Sequence, residues 1–221
     1  MKSKIFPGEK KSDLSIFTGK IEKKIIEKYV KSFPSCIKSY HLTLMTLLWS
    51  AGVILSGYFA QYNINFLWLA SVLIVLQWFT DSFDGSLGKH RKEGIPKWAF
   101  YMDHFLDYIF ICSMFVSYSF IIANTIYFSY LFLVVSCFMA HSFLQVTATN
   151  KFKIVNFGIS PTDIRILLIL ANTFIIKFGT DSLEKFVPHF TLILLLFLCI
   201  TVYSTQKRIW KFEKAHNIDK Q

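Results

Sequence analysis

The stretch Phe66-Leu-Trp-Leu-Ala-Ser-Val-Leu-Ile-Val-Leu-Gln-Trp-Phe-Thr-Asp-Ser-Phe-Asp-Gly85, followed further on by Asp103-His-Phe-Leu-Asp107, decides the fold. From Phe66 to Thr80 it carries no charged side chain, the composition of a segment that crosses lipid, and it then ends on two aspartates. Working outward, apolar runs at about 42–60, 64–82, 98–122, 126–147, 163–179 and 188–205 are each long enough to cross a hydrocarbon core of roughly 30 Å as helices. Within lipid only helices or closed barrels satisfy the backbone, and these runs lack the alternation of barrel strands. The expected fold is all-α, an integral membrane bundle of six transmembrane helices.

The rest of the 221-residue chain agrees with a membrane protein: 53% of it is hydrophobic, 18% aromatic, and its mean hydropathy is +0.44. A net charge of +10 could suggest nucleic acid, but the Lys and Arg residues stand in blocks between apolar runs, so we expect no nucleic-acid partner. They read instead as topology signals. With the N-terminus in the cytoplasm, 22 of the 24 fall on that side and only Lys177 and Lys185 on the other. Both termini and the Asp81–Lys97 region are then cytoplasmic, and the compact chain with short loops suits a bacterial inner membrane.

Residues 14–37 space apolar side chains at helical intervals with lysines between them, as an interfacial amphipathic helix does, and Pro34 is expected to end it. The expected organisation is a cytoplasmic or interfacial segment over 1–40, a six-helix membrane domain over 41–205 and a basic tail over 206–221. No apolar core of a cleaved signal peptide precedes the first run, so that run is expected to stay in the mature protein. Cys36, Cys112, Cys137 and Cys199 show no metal-ligand spacing and read as packing residues.

Asp81 and Asp84 are three residues apart and Asp103 and Asp107 four apart, so each pair projects from one face of a helix. A short cytoplasmic loop would bring both pairs to similar depth. Four ionised aspartates together repel one another, and either protons or bound cations relieve that repulsion. Oxygen-only ligation points to hard cations, Mg²⁺ or Mn²⁺, and two such ions form the usual clamp for phosphoryl transfer. Gly85 and Gly88 would let a ligand approach the backbone, and Lys89, His90, Arg91 and Lys92 could meet phosphate oxygens.

Asp81-Ser-Phe-Asp84-Gly85-Ser-Leu-Gly88-Lys89, a spacer, and Ala99-Phe-Tyr-Met-Asp103-His-Phe-Leu-Asp107 together resemble the signature of the CDP-alcohol phosphotransferase family. That signature reads D-x-x-D-G-x-x-A-R, a spacer, then G-x-x-x-D-x-x-x-D. All four aspartates and the first glycine match. Gly88, Lys89 and Ala99 depart from it, and so does a spacer of nine residues. Gly88 and Ala99 remain small, whereas Lys89 keeps the charge of Arg without its bidentate fork. The resemblance extends weakly to Leu42-Thr43, where members often read Pro-Asn-x-Leu-Thr, and to Ser160-Pro-Thr-Asp-Ile-Arg165.

The resemblance implies transfer of a phosphatidyl group from CDP-diacylglycerol to a small alcohol with release of CMP, in a homodimer embedded in the lipid bilayer. It implies that Asp81, Asp84 and Asp103, with Asp107 as a further contact, hold two divalent ions. Asp107 would act as general base, and Gly85, Gly88, Lys89 and Ala99 would lie against the nucleotide and its pyrophosphate. Lys151, Lys153 and Arg165 could bind the phosphate of an acceptor such as glycerol 3-phosphate or inositol phosphate, although topogenic charge explains the two lysines equally well. A choline-like acceptor would use aromatic faces such as Trp98, Tyr101 and Tyr108. From its place between Asp103 and Asp107, His104 could hydrogen-bond to the neighbouring aspartates or be merely an interfacial side chain. A CDP-linked small alcohol as donor to diacylglycerol, or cation transport through intramembrane aspartates, are the alternative readings.

Overall fold

The computed structural model describes residues 19–149 and 161–218, and these form α-helices and two short 3-10 turns, with no strand among the described residues. Helix α1 spans Gly19–Tyr29, α2 Ser39–Ala60, α3 Leu67–Arg91, α4 Pro96–Ser119, α5 Thr125–Thr149, α6 Pro161–Phe178 and α7 Asp181–Ile218. Five of them, α2, α3, α4, α5 and α7, are long and apolar enough to cross a membrane. The sixth expected span, 163–179, corresponds to α6, which has 18 residues and carries Asp163, Arg165 and Lys177, too many charges for that group.

The chain divides into two compact units, one holding α1 to α4 with α6, the other α5 with most of α7. In the second unit Phe138 of α5 meets Phe197 of α7, ring centroids 6.1 Å apart. Helix α7 is continuous for 38 residues, so the basic residues expected as a separate tail after 205 prolong the last span as helix.

The first unit carries the carboxylates. Its helices end differently from the sequence reading, for local reasons. Helix α1 stops at Tyr29 and passes through a 3-10 turn, Val30–Ser32, because Phe33 must be extended to precede Pro34. Ile25 and Ile26 of α1 pack against Leu42, Phe83 and Leu87, with Phe33 beside them and its ring 5.3 Å from that of Phe83.

Helix α3 continues nine residues past the expected boundary at 82. Lys89, His90 and Arg91 in its last turn complement the carbonyl end of the helix dipole. A Schellman arrangement then closes it: Lys92 takes the left-handed conformation (φ 53°), with Lys92 N–H donating to Lys89 O and Glu93 N–H to Gly88 O. The expected Asp81–Lys97 loop is therefore a four-residue turn between Arg91 and Pro96.

That turn also builds the start of α2. The Glu93 carboxylate accepts from the Ser39 backbone N–H (3.2 Å) and Ser39 Oγ (2.5 Å), doing what a capping side chain at Lys38 does not. Arg91 donates to the carbonyls of Phe33 (3.0 Å), Pro34 (2.7 Å) and Ile37. Deeper in the unit, α2 packs closely along both α3 and α4. Gly57 permits the approach to α4, since a Cβ there would run into the backbone of Ser117. A buried chain from Tyr118 Oη to Asn172 Oδ1 (2.6 Å), and from Asn172 Nδ2 to Ser71 Oγ (3.0 Å), ties α4, α6 and α3 together.

Candidate functional site

The short α3–α4 turn sets the level of each carboxylate. Asp84 lies seven residues before the end of α3 and Asp103 seven after the start of α4; Asp81 and Asp107 lie ten and eleven away. At 1.5 Å per residue the pairs sit about 10 Å and about 15 Å along their helices. The aspartates therefore occupy helix bodies, where the sequence reading had put the first pair at the edge of a loop. Carboxylate oxygens of Asp81, Asp103 and Asp107 all lie within 4.8 Å of one another.

Helix α6 packs on α3 and brings Arg165 into this group. Its Nη2 donates to Asp81 Oδ2 at 2.7 Å and lies 3.6 Å from Asp107 Oδ1, with the residue only 9% exposed. Arg165 was expected to meet an acceptor's phosphate, and here it serves as the counter-charge of two aspartates. Three carboxylates against one guanidinium leave an excess of negative formal charge in a poorly solvated place, which a further cation would relieve.

Asp84 stands apart from the three. It is 7% exposed, accepts from Thr43 Oγ1 of α2 at 2.6 Å, and takes the Gly85 backbone N–H on its other oxygen. That contact gives the Leu42-Thr43 pair a physical role. Asp103 Oδ2 lies 3.1 Å from His104 Nδ1, so the histidine does support its neighbour. Asp107 also receives Nε2 of Gln77, a turn before Asp81 on α3, at 3.1 Å.

The remaining expected residues divide. Gly85 faces open space, with nothing within 4 Å of where a Cβ would be, so a ligand can reach that backbone. Gly88 does not: a Cβ there would come within 3.3 Å of Ser39, and its small size serves the packing of α2. Lys89 is exposed, whereas Arg91 is occupied by the carbonyls before α2. Ala99 lies on the first turn of α4, one turn before Asp103 and on its face. Trp98 packs edge-on to Tyr40, and Tyr101 stacks on Phe105. Lys151 and Lys153 lie outside the described residues.

Sequence reasoning missed Gln77 and Glu22. Glu22 of α1 accepts from Ser82 Oγ (2.9 Å), next to Asp81, and from Thr162 Oγ1 (2.8 Å), at the start of α6. One of two glutamates in a lysine-rich amphipathic segment carries no signal of this, and neither does one Gln in an apolar run.

Octahedral ligands of a small divalent ion lie about 3–4 Å apart, and the three aspartates, with oxygens within 4.8 Å of one another, could hold one hard cation by drawing slightly closer. Asp84 is not one of that group, and both its oxygens already accept hydrogen bonds. Comparison of the chain with protein-family models, curated proteins and solved structures finds no match.

Proposed function

We propose that this chain is a membrane enzyme of the CDP-alcohol phosphotransferase kind, transferring a phosphatidyl group from CDP-diacylglycerol to a small alcohol with release of CMP. The observation that carries the reading is the convergence of Asp81, Asp103 and Asp107, in the spacing of that signature, on two helices apolar enough to lie in a bilayer. In the reaction the acceptor's hydroxyl oxygen bonds to the phosphorus that bears the diacylglyceryl group. The bond from that phosphorus to the bridging oxygen breaks, CMP leaves with the oxygen and its electron pair, and the hydroxyl proton passes to Asp107.

Asp81, Asp84 and Asp103, with Asp107 as a further contact, would hold two ions of Mg²⁺ or Mn²⁺, which when bound supply positive charge to the pyrophosphate. Arg165 keeps Asp81 and Asp107 in place, and Lys89 meets phosphate at the open face beside Gly85. A crevice of about 320 Å³ between α1, α3 and α6, lined by Ile25, Ile74, Trp78 and Ile169 beside Arg165, suits an acyl chain whose head group lies at the carboxylates. The finer topology belongs to the same proposal. Helix α6 is the sixth span, α1 lies at the interface, and the carboxylates and both termini face the cytoplasm in a homodimer of the bacterial inner membrane.

Purified protein given cytidine-labelled CDP-dioleoylglycerol and a panel of glycerol 3-phosphate, inositol phosphate and choline should release CMP only with Mg²⁺ or Mn²⁺ and an acceptor. Asp103→Asn should abolish it. Full activity in that variant, or release without a divalent ion, would sink the reading. A second arm with CDP-choline and diacylglycerol separates the reverse arrangement, and cation flux in proteoliposomes without CMP release would point to transport.

A further inference from the structure

We infer that Gln77 is a specificity-determining residue that orients Asp107 and selects an acceptor alcohol bearing a second hydrogen-bond donor, such as a neighbouring hydroxyl or an ammonium N–H. The inference rests on the phosphatidyl-transfer reading above. Gln77 is wholly buried, 0% exposed, on α3 one turn before Asp81. Its Nε2 donates to Asp107 Oδ1 at 3.1 Å. A carboxylate accepts and does not donate, so this contact fixes the amide's orientation and turns Oε1 away from Asp107.

Oε1 has no hydrogen-bond partner among the described residues, though it is fully buried. A buried carbonyl without a donor is costly, and in lipid nothing in the surrounding solvent relieves it. A methionine would fill the same volume without that cost. An arriving ligand relieves it only if it brings a donor.

The position limits which ligand. The oxygen and nitrogen of an amide are about 2.2 Å apart, so Oε1 lies at most about 5.3 Å from the Asp107 oxygen that Gln77 holds. In the transfer step the reacting hydroxyl gives its proton to Asp107 as its oxygen joins phosphorus and CMP departs with the bridging oxygen. That hydroxyl has no second proton to offer. The group that satisfies Gln77 Oε1 must therefore be another donor on the same small molecule, which a polyol phosphate or a primary amino alcohol has and choline lacks.

The test compares the acceptor that supports CMP release with its analogue lacking the neighbouring donor; for glycerol 3-phosphate this is 3-hydroxypropyl phosphate. One hydrogen bond in a buried site should favour the natural acceptor by roughly tenfold to a hundredfold in kcat/KM. In Gln77→Met that preference should fall to within about twofold, while KM for CDP-dioleoylglycerol stays within about twofold. A merely structural glutamine predicts the opposite, with acceptor preference intact. The ratio of kcat/KM values does not depend on how much protein is folded, so a poorly folding variant still answers the question, and Gln77→Asn provides a second. Unchanged preference in either variant, or choline as the favoured acceptor, would overturn the inference while leaving the transferase reading intact. A wild-type protein that releases no CMP with any acceptor would overturn that reading and the inference with it.

Discussion

Replacing Arg165 with Met removes the only positive side chain that meets the three-aspartate group among the described contacts. Arg165 Nη2 lies 2.7 Å from Asp81 Oδ2 and 3.6 Å from Asp107 Oδ1. At an effective dielectric of about 20 these two attractions are worth about 6 and about 5 kcal/mol before desolvation is subtracted. The net value is smaller because the guanidinium is buried. Removing one partner of such a pair costs about 3–5 kcal/mol, chiefly because charge is left uncompensated. At about 2–4 °C per kcal/mol for a chain of this size, the variant should melt about 6–20 °C below wild type in detergent without divalent ions.

Two controls tie that loss to the carboxylates. Arg165→Met combined with Asp81→Asn should recover part of it, because one of the repelling charges is gone. Manganese should then bind Arg165→Met more tightly than wild type and so stabilise it more at the same concentration; free Mn²⁺ a hundredfold above the variant's dissociation constant stabilises the variant by about 2.7 kcal/mol. Thermal melts of the three proteins followed by intrinsic fluorescence, with and without Mn²⁺, give these values. A single variant melting within about 2 °C of wild type, or a double variant no better than the single, would refute the account of Arg165 as their counter-charge.

Thr43→Val keeps the shape of the side chain but removes the donor to Asp84, and CMP release should fall roughly tenfold to a hundredfold with the melting temperature lowered by about 2–12 °C. Glu93→Gln weakens the cap of α2 by about 1 kcal/mol; hydrogen exchange at the first turn of α2 should accelerate while metal dependence of CMP release is unchanged. Gly57→Val places side-chain atoms where the Ser117 backbone lies, so α2 and α4 cannot pack, and size-exclusion chromatography should show loss of the monodisperse protein.

Much of the architecture is legible in the sequence because lipid is a demanding solvent. A run such as Phe66–Thr80, without a charge, has few options other than a buried or membrane-crossing helix. The spacing of Asp81 with Asp84 and of Asp103 with Asp107 likewise puts each pair on one helix face whatever the tertiary detail. Helix ends are less legible. Lys89, His90 and Arg91 look like a hydrophilic loop by composition, yet they satisfy the end of α3, and Lys92 closes it in a conformation that glycine more often takes.

The chain alone thus determined the helical class, most of the helices long enough to span, and which face of α3 and α4 holds acid. Only the tertiary structure decided how the four aspartates divide. Asp81, Asp103 and Asp107 converge, Asp84 turns to Thr43, and Arg165 comes from a helix more than fifty residues further on. Periodicity along one helix says which face a side chain occupies. The partner across from that face depends on how α2 and α6 pack against α3, and no local pattern encodes that. For the same reason Gln77, one polar residue in an apolar run, gained meaning only when Asp107 was found beside it.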